Sequence, residues 1–418
     1  MAKLNPKTRS GTIAALDIGS TKICCFIARS ENGGLPRVTG IGHQVAKGVR
    51  GGAIVDMDQA EASIIAAVNA AEKMANETIR QVIVNLSAGY PASETVGVEV
   101  AISGHEVGEI DMRRVLDQGS PVTDAEERQL IHSIPIGYTI DGNRGIRDPR
   151  GMFGDRLGAS MHVVTAASGA VRNLVNVVER GHLDIEKLVV SPYASGLASL
   201  VEDEVDLGVT VIDMGGGTTS LAVFFDGAVV HTDVVTVGGC HVTNDVARGL
   251  STPLIEAERL KTLYGSATSS ATDERELIDV PLVGEDNRSQ PNHVPKSYLN
   301  QIIQPRLEET FELVRGQLEA SGFDKLAGRR VVLTGGASQL QGVRELAASI
   351  LDKQVRLGRP IGMAGLAEST CGPAFATCAG LLHYAVGEIP DRVGRMSAVP
   401  PASAGLFGRF GHWLRENF

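Results

Sequence analysis

Residues 12–31 read TIAALDIGSTKICCFIARSE, and residues 210–227 read TVIDMGGGTTSLAVFFDG. In each segment an apolar, β-rich run leads to an aspartate, Asp17 or Asp213, followed by a turn of small residues and a second apolar run. Two such runs around a Gly/Ser/Thr turn are typical of a tight β-hairpin. Because the segments lie about half a chain apart, we interpret them as copies of one duplicated domain.

Each hairpin turn has the composition of a phosphate-binding loop. Glycine permits close approach of the backbone, so that consecutive N–H groups converge on a phosphate. Asp17 and Asp213 would face one another if the two halves close, and would then hold the water shell of a Mg²⁺ ion. Lys22 adds a positive charge for a β- or γ-phosphate.

A third glycine turn occurs late in the chain. The apolar run 331–333 enters Gly335–Gly336, and we expect a helix to begin near Gly342. Strand, glycine turn and helix follow in this order where a backbone must approach a phosphate. One such turn alone is usually only a turn. The three together, at these positions, predict a nucleotide site.

Length, composition and charge limit the classes of protein to consider. The chain has 418 residues, 43% hydrophobic and 21% charged, a size that favours two domains over one core. The formal net charge of −10 argues against a nucleic-acid partner, which requires a basic surface. The five cysteines include no CxxC pair, so we expect reduced thiols in a cytoplasmic protein. No segment reads as a signal peptide or as a bilayer span.

Several motifs resemble one family. The two hairpins and the late glycine turn look like the phosphate 1, phosphate 2 and adenosine motifs of the actin, sugar-kinase and DnaK superfamily. Within it the chain is similar, over nearly its full length, to the bacterial cell-division family FtsA. The segments that carry this resemblance are HSIPIGYTIDG (132–142), DPRGMFGDRL (148–157), VIDMGGGTTSLAVF (211–224), AERLK (257–261), VVLTGGASQLQGV (331–343) and the C-terminal residues 405–418.

The resemblance implies an α/β, actin-like two-domain ATPase fold with duplicated ββ-hairpin/α units, an inserted small α/β subdomain and a C-terminal amphipathic helix. The implied divisions are 10–86 (subdomain 1A, phosphate 1 hairpin), 87–163 (inserted subdomain 1C), 164–387 (domain 2: subdomain 2A with the phosphate 2 and adenosine motifs, and subdomain 2B at about 240–305), 388–404 (flexible linker) and 405–418 (membrane-targeting helix).

The resemblance also implies ATP and Mg²⁺ as ligands. The residues onto which it carries nucleotide contacts are Asp17, Gly19, Ser20, Thr21, Lys22, Asp213, Gly215, Gly216, Gly217, Thr218, Thr219, Glu258, Lys261, Gly335 and Gly336. Asp17 and Asp213 would hold Mg²⁺ through water. Glu258 and Lys261 would contact the ribose and base, although an i,i+3 ion pair on a helix surface is the simpler interpretation without the family. We find no residue to orient an attacking water, so the catalytic residue is unidentified and slow or negligible hydrolysis is expected.

The C-terminal residues 406–418 predict an amphipathic helix. Six large apolar side chains fall within an arc of roughly 140° on a helical wheel. They are Leu406, Phe407, Phe410, Trp413, Leu414 and Phe418. Trp and Phe favour the membrane interface, so the expected position is the bilayer surface. The alternative is that this helix docks on its own domain or on a partner.

The resemblance names partners as well. It implies self-assembly, recruitment of later division proteins through residues 87–163, and binding of the acidic and apolar C-terminal tail of the tubulin-like protein FtsZ to subdomain 2B. Basic side chains there would help, and the candidates are Arg288, Lys296 and Arg306. For each of these, a solvated polar loop is an equally good interpretation.

The sequence thus predicts an ATP-binding cell-division adaptor at the cytoplasmic face of the inner membrane, at the division site, which links FtsZ filaments to that membrane. Two alternatives stay open. The first is an enzyme, a sugar or acetate-type kinase of the same fold. The second is a scaffold similar to PilM of pilus assembly, which resembles FtsA but lacks the terminal amphipathic helix.

Overall fold

The computed structural model describes residues 11–30, 35–119, 127–284, 292–387 and 391. The strands are β1 (Gly11–Ile18), β2 (Lys22–Ser30), β3 (Arg37–Val45), β4 (Val49–Arg50), β5 (Ala53–Ile54), β6 (Gln81–Leu86), β7 (Ala92–Ala101), β8 (Arg128–Ile140), β9 (Asn143–Ile146), β10 (Arg156–Ala167), β11 (Asp184–Val190), β12 (Val209–Met214), β13 (Thr219–Phe225), β14 (Ala228–Val235), β15 (Leu277–Val280), β16 (Asn292–Pro295), β17 (Arg330–Thr334) and β18 (Gln354–Leu357). The helices are α1 (Met57–Ala75), α2 (Glu109–Gln118), α3 (Ser168–Arg180), α4 (Ser191–Ser199), α5 (Glu202–Leu207), α6 (Gly239–Gly249), α7 (Leu254–Tyr264), α8 (Lys296–Ser321), α9 (Val343–Leu351) and α10 (Ala376–Val386).

Two five-stranded sheets repeat one topology. The first has the order β3-β2-β1-β6-β11 and the second the order β14-β13-β12-β17-β18. In each, the first three strands are antiparallel neighbours and the last two lie parallel to the central strand. The same order and direction in both sheets confirm that the chain contains a duplicated unit. The predicted hairpins are β1–β2 and β12–β13.

The first sheet takes its last strand from a region that the sequence assigned to domain 2 (164–387). Strand β11 pairs in parallel with β6, and α10 packs against β1. Parallel neighbours require a long crossover connection, and here the inserted subdomain and α3 form it. The chain therefore returns to the first half after the insertion, and the division at 163/164 does not separate the two halves.

The inserted subdomain is a second structural layer with its own core. Its sheet has the order β7-β10-β8-β9, and α2 packs on it through Met112, Val115 and Leu116. The predicted range 87–163 ends inside β10, which continues to Ala167. This subdomain also contacts the second half, where Ser93 Oγ donates to the Thr232 carbonyl at 2.8 Å and accepts from the Thr232 N–H.

Helices α6, α7 and α8 and the hairpin β15–β16 form a small unit on the second sheet. It corresponds to the range of about 240–305, but α8 continues to Ser321 and ends at Gly322 in the left-handed conformation. Inside it, Asn300 is buried, accepts from the Ser266 N–H and donates to Asp273. Polar residues of this small unit therefore contribute to its packed interior.

Two predicted features lie outside the described residues. They are the linker 388–404, of which only Asp391 is described, and the helix 405–418. Within the described ranges, none of the helices combines the length and the apolar character that crossing a membrane requires.

Helices α4 and α10 cross in close contact beneath both sheets. A Cβ atom built on Gly380 would lie 1.7 Å from the Ala194 carbonyl oxygen. The close contact of the two helices at this point thus requires a glycine at position 380. Any side chain at this position would force the helices apart.

We predict that Gly380→Ala lowers the free energy of unfolding by about 1–3 kcal/mol, because overpacking a filled core costs this much. The matched control is Gly316→Ala in α8, where an added Cβ meets no atom within 4 Å. That change should raise the free energy of unfolding by up to about 1 kcal/mol, the usual gain for replacing a helical glycine. Urea unfolding of both variants measures the difference, and equal effects would contradict the packing argument.

Candidate functional site

A cleft of about 510 Å³ lies between the two sheets. It is lined by every residue to which the sequence assigned a nucleotide contact except Thr219. Thr219 is fully buried at the start of β13, and its hydroxyl faces the interior. The structure therefore brings together residues that stand more than three hundred positions apart in the chain.

The two hairpin turns at the cleft have the same internal hydrogen bond. The Gly19 N–H donates to the Lys22 carbonyl at 3.0 Å, and the Gly215 N–H donates to the Thr218 carbonyl at 2.9 Å. Both bonds join the second and fifth residues after the aspartate. The duplication thus extends to the geometry of the two turns.

Helix α6 orients the second turn. The Gly215 and Gly216 carbonyls accept hydrogen bonds from the Gly239 and Cys240 N–H groups at 3.0 and 2.8 Å. Because C=O and N–H point in opposite directions across a planar trans peptide, the N–H groups of Gly216 and Gly217 are directed away from α6. These are the groups that a phosphate would accept hydrogen bonds from.

The two turns touch one another at the base of the cleft. A Cβ on Gly216 would lie 2.5 Å from Thr21 Cγ2, and a Cβ on Gly217 would lie 2.3 Å from Ser20 Oγ. Ser20 Oγ in turn accepts from the Gly52 N–H at 2.9 Å. Glycine is therefore required at 216 and 217 by the close approach of the opposite hairpin.

Asp213 is buried and held by two hydroxyl groups. Ser195 Oγ from α4 donates to Asp213 Oδ2 at 2.5 Å, and Thr377 Oγ1 from α10 donates to the same oxygen at 2.9 Å. The other oxygen, Oδ1, faces the late glycine turn, where a Cβ on Gly335 would lie 2.4 Å from it. Burial raises the pKa of Asp213, while the two hydroxyl groups and Lys22 act in the opposite direction.

Asp17 occupies the equivalent position on β1. Burial raises its pKa to about 7; Lys22 lowers the pKa, and the nearby Asp213 raises it further. The Lys22 ammonium donates to the Ala374 carbonyl at 2.5 Å and lies 3.4 Å from the centre of the Phe375 ring. The Asp17 carboxyl is thus poorly solvated and has a strong tendency to bind a cation or a proton.

The donor set fits a hydrated divalent cation. Among the described residues, no group of three or more His, Cys, Asp or Glu side chains lies close enough to hold a metal. Two buried carboxylates at one cleft are suited to Mg²⁺, which keeps several of its waters. Asp17 and Asp213 are the residues that would hold it.

Glu258 and Lys261 on α7 form an ion pair of 2.7 Å at the cleft. The pair is not only a surface pair, because the Lys261 ammonium also donates to Thr243 Oγ1 at 2.8 Å and to the Gly239 carbonyl at 3.2 Å. Lys261 is mostly buried, whereas Glu258 is largely exposed. Glu258 and Lys261 therefore form the i,i+3 ion pair that the simpler interpretation predicts, and both also line the cleft, where the family resemblance placed them.

Several cleft residues escaped the sequence analysis. Asn85 accepts from the Ile18 N–H at 2.7 Å and donates to Ser191 Oγ at 3.1 Å. Ser195 and Thr377, which hold Asp213, lie in helices of ordinary small and apolar residues. Asn85 carries a usable signal, since it is a polar residue inside the apolar run of the strand QVIVNL, whereas Gln81 is the exposed first residue of that strand. The sequence around Ser195 and Thr377 carries no such signal.

Two of the basic residues assigned to partner binding, Lys296 and Arg306, do not line this cleft. Arg306 Nε is 2.6 Å from Asp245 Oδ2 and its guanidinium also bonds Glu309. The Lys296 ammonium lies 3.1 Å from Glu276 and 3.6 Å from Asp273. Both cations are therefore neutralised within the chain. Arg288 lies outside the described residues.

The duplicated sheets, the cleft between them and the inserted subdomain define an actin-like α/β protein. Solved structures share this fold. One is "PilM-PilN type IV pilus biogenesis complex", with TM-score 0.63 and 20% identity over 90% of this chain and 98% of that one. Another is MreB5 of Spiroplasma citri bound to ADP, with TM-score 0.51 and 14% identity over 89% of this chain and 95% of that one.

Sequence relatives specify the family. "Cell division protein FtsA" of Rhizobium meliloti (strain 1021) is 47% identical over 99% of this chain and 96% of its own length. The protein of that name from Escherichia coli (strain K12) is 32% identical over 97% of this chain and 98% of its own length. Family models match at residues 210–380, "Cell division protein FtsA", and at 88–165, "SHS2 domain inserted in FTSA". The chain belongs to the FtsA family of cell-division proteins.

The raised pKa of Asp17 predicts a pH dependence of stability without nucleotide. Near pH 4 the unfolded chain loses the Asp17 proton, whereas the folded protein keeps it until about pH 7. The free energy of unfolding should therefore fall as the pH rises from 4 to 7, by at most about 1.4 kcal/mol per pH unit from this group. Above that window the contribution is constant.

Asp17→Asn tests this prediction, because the amide has no proton to lose. Urea unfolding of both proteins across pH 4 to 7 should give a flatter profile for the variant. Other titrating groups are shared, so the difference between the profiles reports Asp17. Parallel profiles would mean that the Asp17 carboxyl is solvated.

Proposed function

We propose that this protein binds Mg-ATP in the cleft between its two sheets and uses it as a switch for self-assembly on the cytoplasmic face of the cell membrane at the division site. There it tethers FtsZ filaments and assists recruitment of later division proteins. The observation that carries this proposal is the convergence of two acidic hairpin turns closed by the same hydrogen bond, and of a third glycine turn, on one cleft of about 510 Å³.

The cleft is suited to a nucleoside triphosphate in three ways. The N–H groups of Gly216 and Gly217 are directed away from α6 and are available to phosphate oxygens. Asp17 and Asp213 supply the negative charge that a magnesium ion between phosphates and protein requires. Apolar side chains at the α6–α8 side, such as Val242 and Leu307, offer a surface for a base.

We propose slow turnover at most. In phosphoryl transfer to water the protein must orient the nucleophile, and Asp213 is committed to Ser195 and Thr377 on one oxygen. A kinase of the same fold would instead consume ATP only when a small acceptor molecule is added. Family membership favours the cell-division role over that alternative.

Asp213→Ala should weaken Mg-ATP binding at least tenfold, about 1.4 kcal/mol or more, because it removes one of two carboxylates from the cation. The matched control is Asp203→Ala, an exposed aspartate on α5 outside the cleft, which should leave the affinity unchanged. Isothermal titration calorimetry with and without Mg²⁺ measures both. If Asp213→Ala binds as tightly as the wild type, this residue does not serve the cation.

The membrane role rests on the amphipathic pattern of residues 406–418. Partial burial of six large apolar side chains gains on the order of 1 kcal/mol each, and ordering the helix offsets much of this. One copy should thus bind lipid weakly and reversibly. Many copies in one assembly bind tightly, because each bound helix raises the effective concentration of the next.

Deletion of residues 405–418 should abolish co-sedimentation with liposomes while Mg-ATP affinity stays at its wild-type value. The physical reason is that the apolar arc is removed and the cleft is untouched. Nucleotide binding of the truncated protein serves as the control for folding. Pelleting with lipid at the wild-type level would place the membrane contact elsewhere in the chain.

We place the FtsZ-tail contact on the small unit formed by α6, α7 and α8. The ion pairs of Lys296 and Arg306 would have to exchange partners to receive an acidic peptide. The exposed apolar side chains of α7, Leu254, Ile255 and Leu263, offer contacts for the apolar part of such a tail. Apolar contact with α7 is therefore the stronger part of this assignment.

A further inference from the structure

A groove separate from the nucleotide cleft runs between the inserted subdomain and the second half. One cavity of about 620 Å³ is lined by Ile134 and Pro135 of β8 and by Leu197, Val201 and Val205 near α4 and α5. It continues into a second cavity of about 500 Å³ beside α2, and the two share Pro135, Arg147, Gly227 and Ala228. None of their lining residues lines the nucleotide cleft.

Asp391 is bound at the edge of this groove. Its carboxylate accepts from His132 Nδ1 at 2.6 Å, from the Tyr384 hydroxyl at 2.7 Å and from the Ser133 N–H at 3.2 Å. The Val190 N–H donates to His132 Nε2, so the ring hydrogen is on Nδ1. Burial raises the pKa of Asp391, but His132 and the hydrogen bonds outweigh this effect and bring the pKa to about 2.

The residues that bind Asp391 lie next to residues that line the groove. The Tyr193 ring lies 5.6 Å from the His132 ring and 6.1 Å from the Tyr384 ring, and Tyr193 also lines the groove. Ile134 and Pro135, which line the groove, directly follow His132 and Ser133, two of the three residues that bind Asp391. The chain after Asp391 therefore starts beside the groove.

The segment that follows has the length to enter it. Residues 392–405 span up to about 50 Å when extended, so 406–418 can reach any part of the groove. A covalent connection of about this length gives an effective concentration on the order of millimolar. Even an intrinsic affinity of that modest order would leave the segment docked about half of the time.

Charges of the groove and the segment are opposite. Five carboxylates line the two cavities, from Glu109, Asp148, Glu202, Asp206 and Asp226, against the guanidinium groups of Arg147 and Arg150. Residues 392–418 carry four arginines and one glutamate. The apolar floor matches the apolar arc of 406–418. The acidic rim matches the arginines, two of which, Arg409 and Arg415, lie within that segment together with Glu416, while Arg392 and Arg395 lie in the residues just before it.

We propose that this groove is the docking site of the chain's own residues 406–418, which Asp391 holds beside it. Docking buries Trp413 against the groove and removes the apolar arc from water. The docking itself does not depend on the proposed nucleotide or membrane roles. Its consequence, competition between the groove and a lipid surface for the same side chains, rests on the proposed function.

Trp413 is the only tryptophan of the chain, so its fluorescence reports the position of this segment. The measurement is acrylamide quenching of the full-length protein in dilute solution, without lipid or nucleotide. Val201→Lys places a positive charge in the groove, which opposes both the apolar contacts and the arginines of the segment. The side chain at 201 is 48% exposed, so the fold tolerates the change. We expect the quenching constant to rise at least twofold in this variant.

The matched control is Leu207→Lys, at the end of α5, the short helix that Val201 precedes; Leu207 is 71% exposed and outside the groove. It should quench like the wild type. Asp391→Asn, which loses the charge held by His132, should also increase quenching. Equal quenching in wild type, Val201→Lys and a free peptide of residues 406–418 would overturn the proposal. Protection that grows with protein concentration would also overturn it, because a second copy would then be the occupant.

Vesicles of neutral and anionic lipid provide a separate readout of the consequence. Val201→Lys should co-sediment with them at a lower lipid concentration than the wild type or Leu207→Lys, because the groove no longer competes; the two variants carry the same added charge. If quenching changes as expected and lipid binding does not, docking stands and the membrane role of the segment fails. If the quenching result fails, the groove has no such occupant whatever the vesicles show.

Discussion

The Asp213 carboxylate is buried where both halves of the molecule meet, and its orientation depends on two hydroxyl groups from different helices. Ser195 of α4 and Thr377 of α10 donate to one oxygen, and this leaves the other directed at the glycine turn of β17. A buried carboxylate without such donors would cost several kcal/mol. The cleft therefore depends on the crossing of α4 and α10, which in turn depends on Gly380.

The duplication explains why the site lies between the halves. In each sheet the central strand carries an aspartate near its end. A glycine follows two residues later, and its N–H forms the hydrogen bond that closes the turn. The turns meet tip to tip because Gly216 and Gly217 have no side chain to collide with Thr21 and Ser20. Two carboxyl groups are thus brought near each other in a poorly solvated place, where a divalent cation would relieve the repulsion of their negative charges.

Family membership connects this cleft to cell division, and the tertiary structure suggests how the remaining parts cooperate. Helix α10 holds Asp213 through Thr377 near its beginning and Asp391 through Tyr384 near its end. The inserted subdomain holds the same Asp391 through His132 and Ser133. The nucleotide cleft, the inserted subdomain and the start of the C-terminal segment therefore share one helix, so that a displacement of α10 affects all three.

The sequence by itself determined the duplicated hairpins, the three glycine turns and the family, because these are local patterns of apolar runs, aspartates and small residues that one segment carries whole. Nearly all of the nucleotide contacts that it predicted line the cleft, and Thr219 alone among them is turned to the interior. It misplaced the boundary between the halves, since only strand pairing shows that β11 returns to the first sheet.

Only the tertiary structure revealed the roles of Ser195, Thr377 and Asp391, and it showed that Lys296 and Arg306 are already paired. The physical reason is that a hydroxyl in an ordinary helix, or a charge in a polar loop, acquires its role from a partner far away in the chain. Its own neighbours in sequence carry no trace of that partner, and packing alone decides which groups meet.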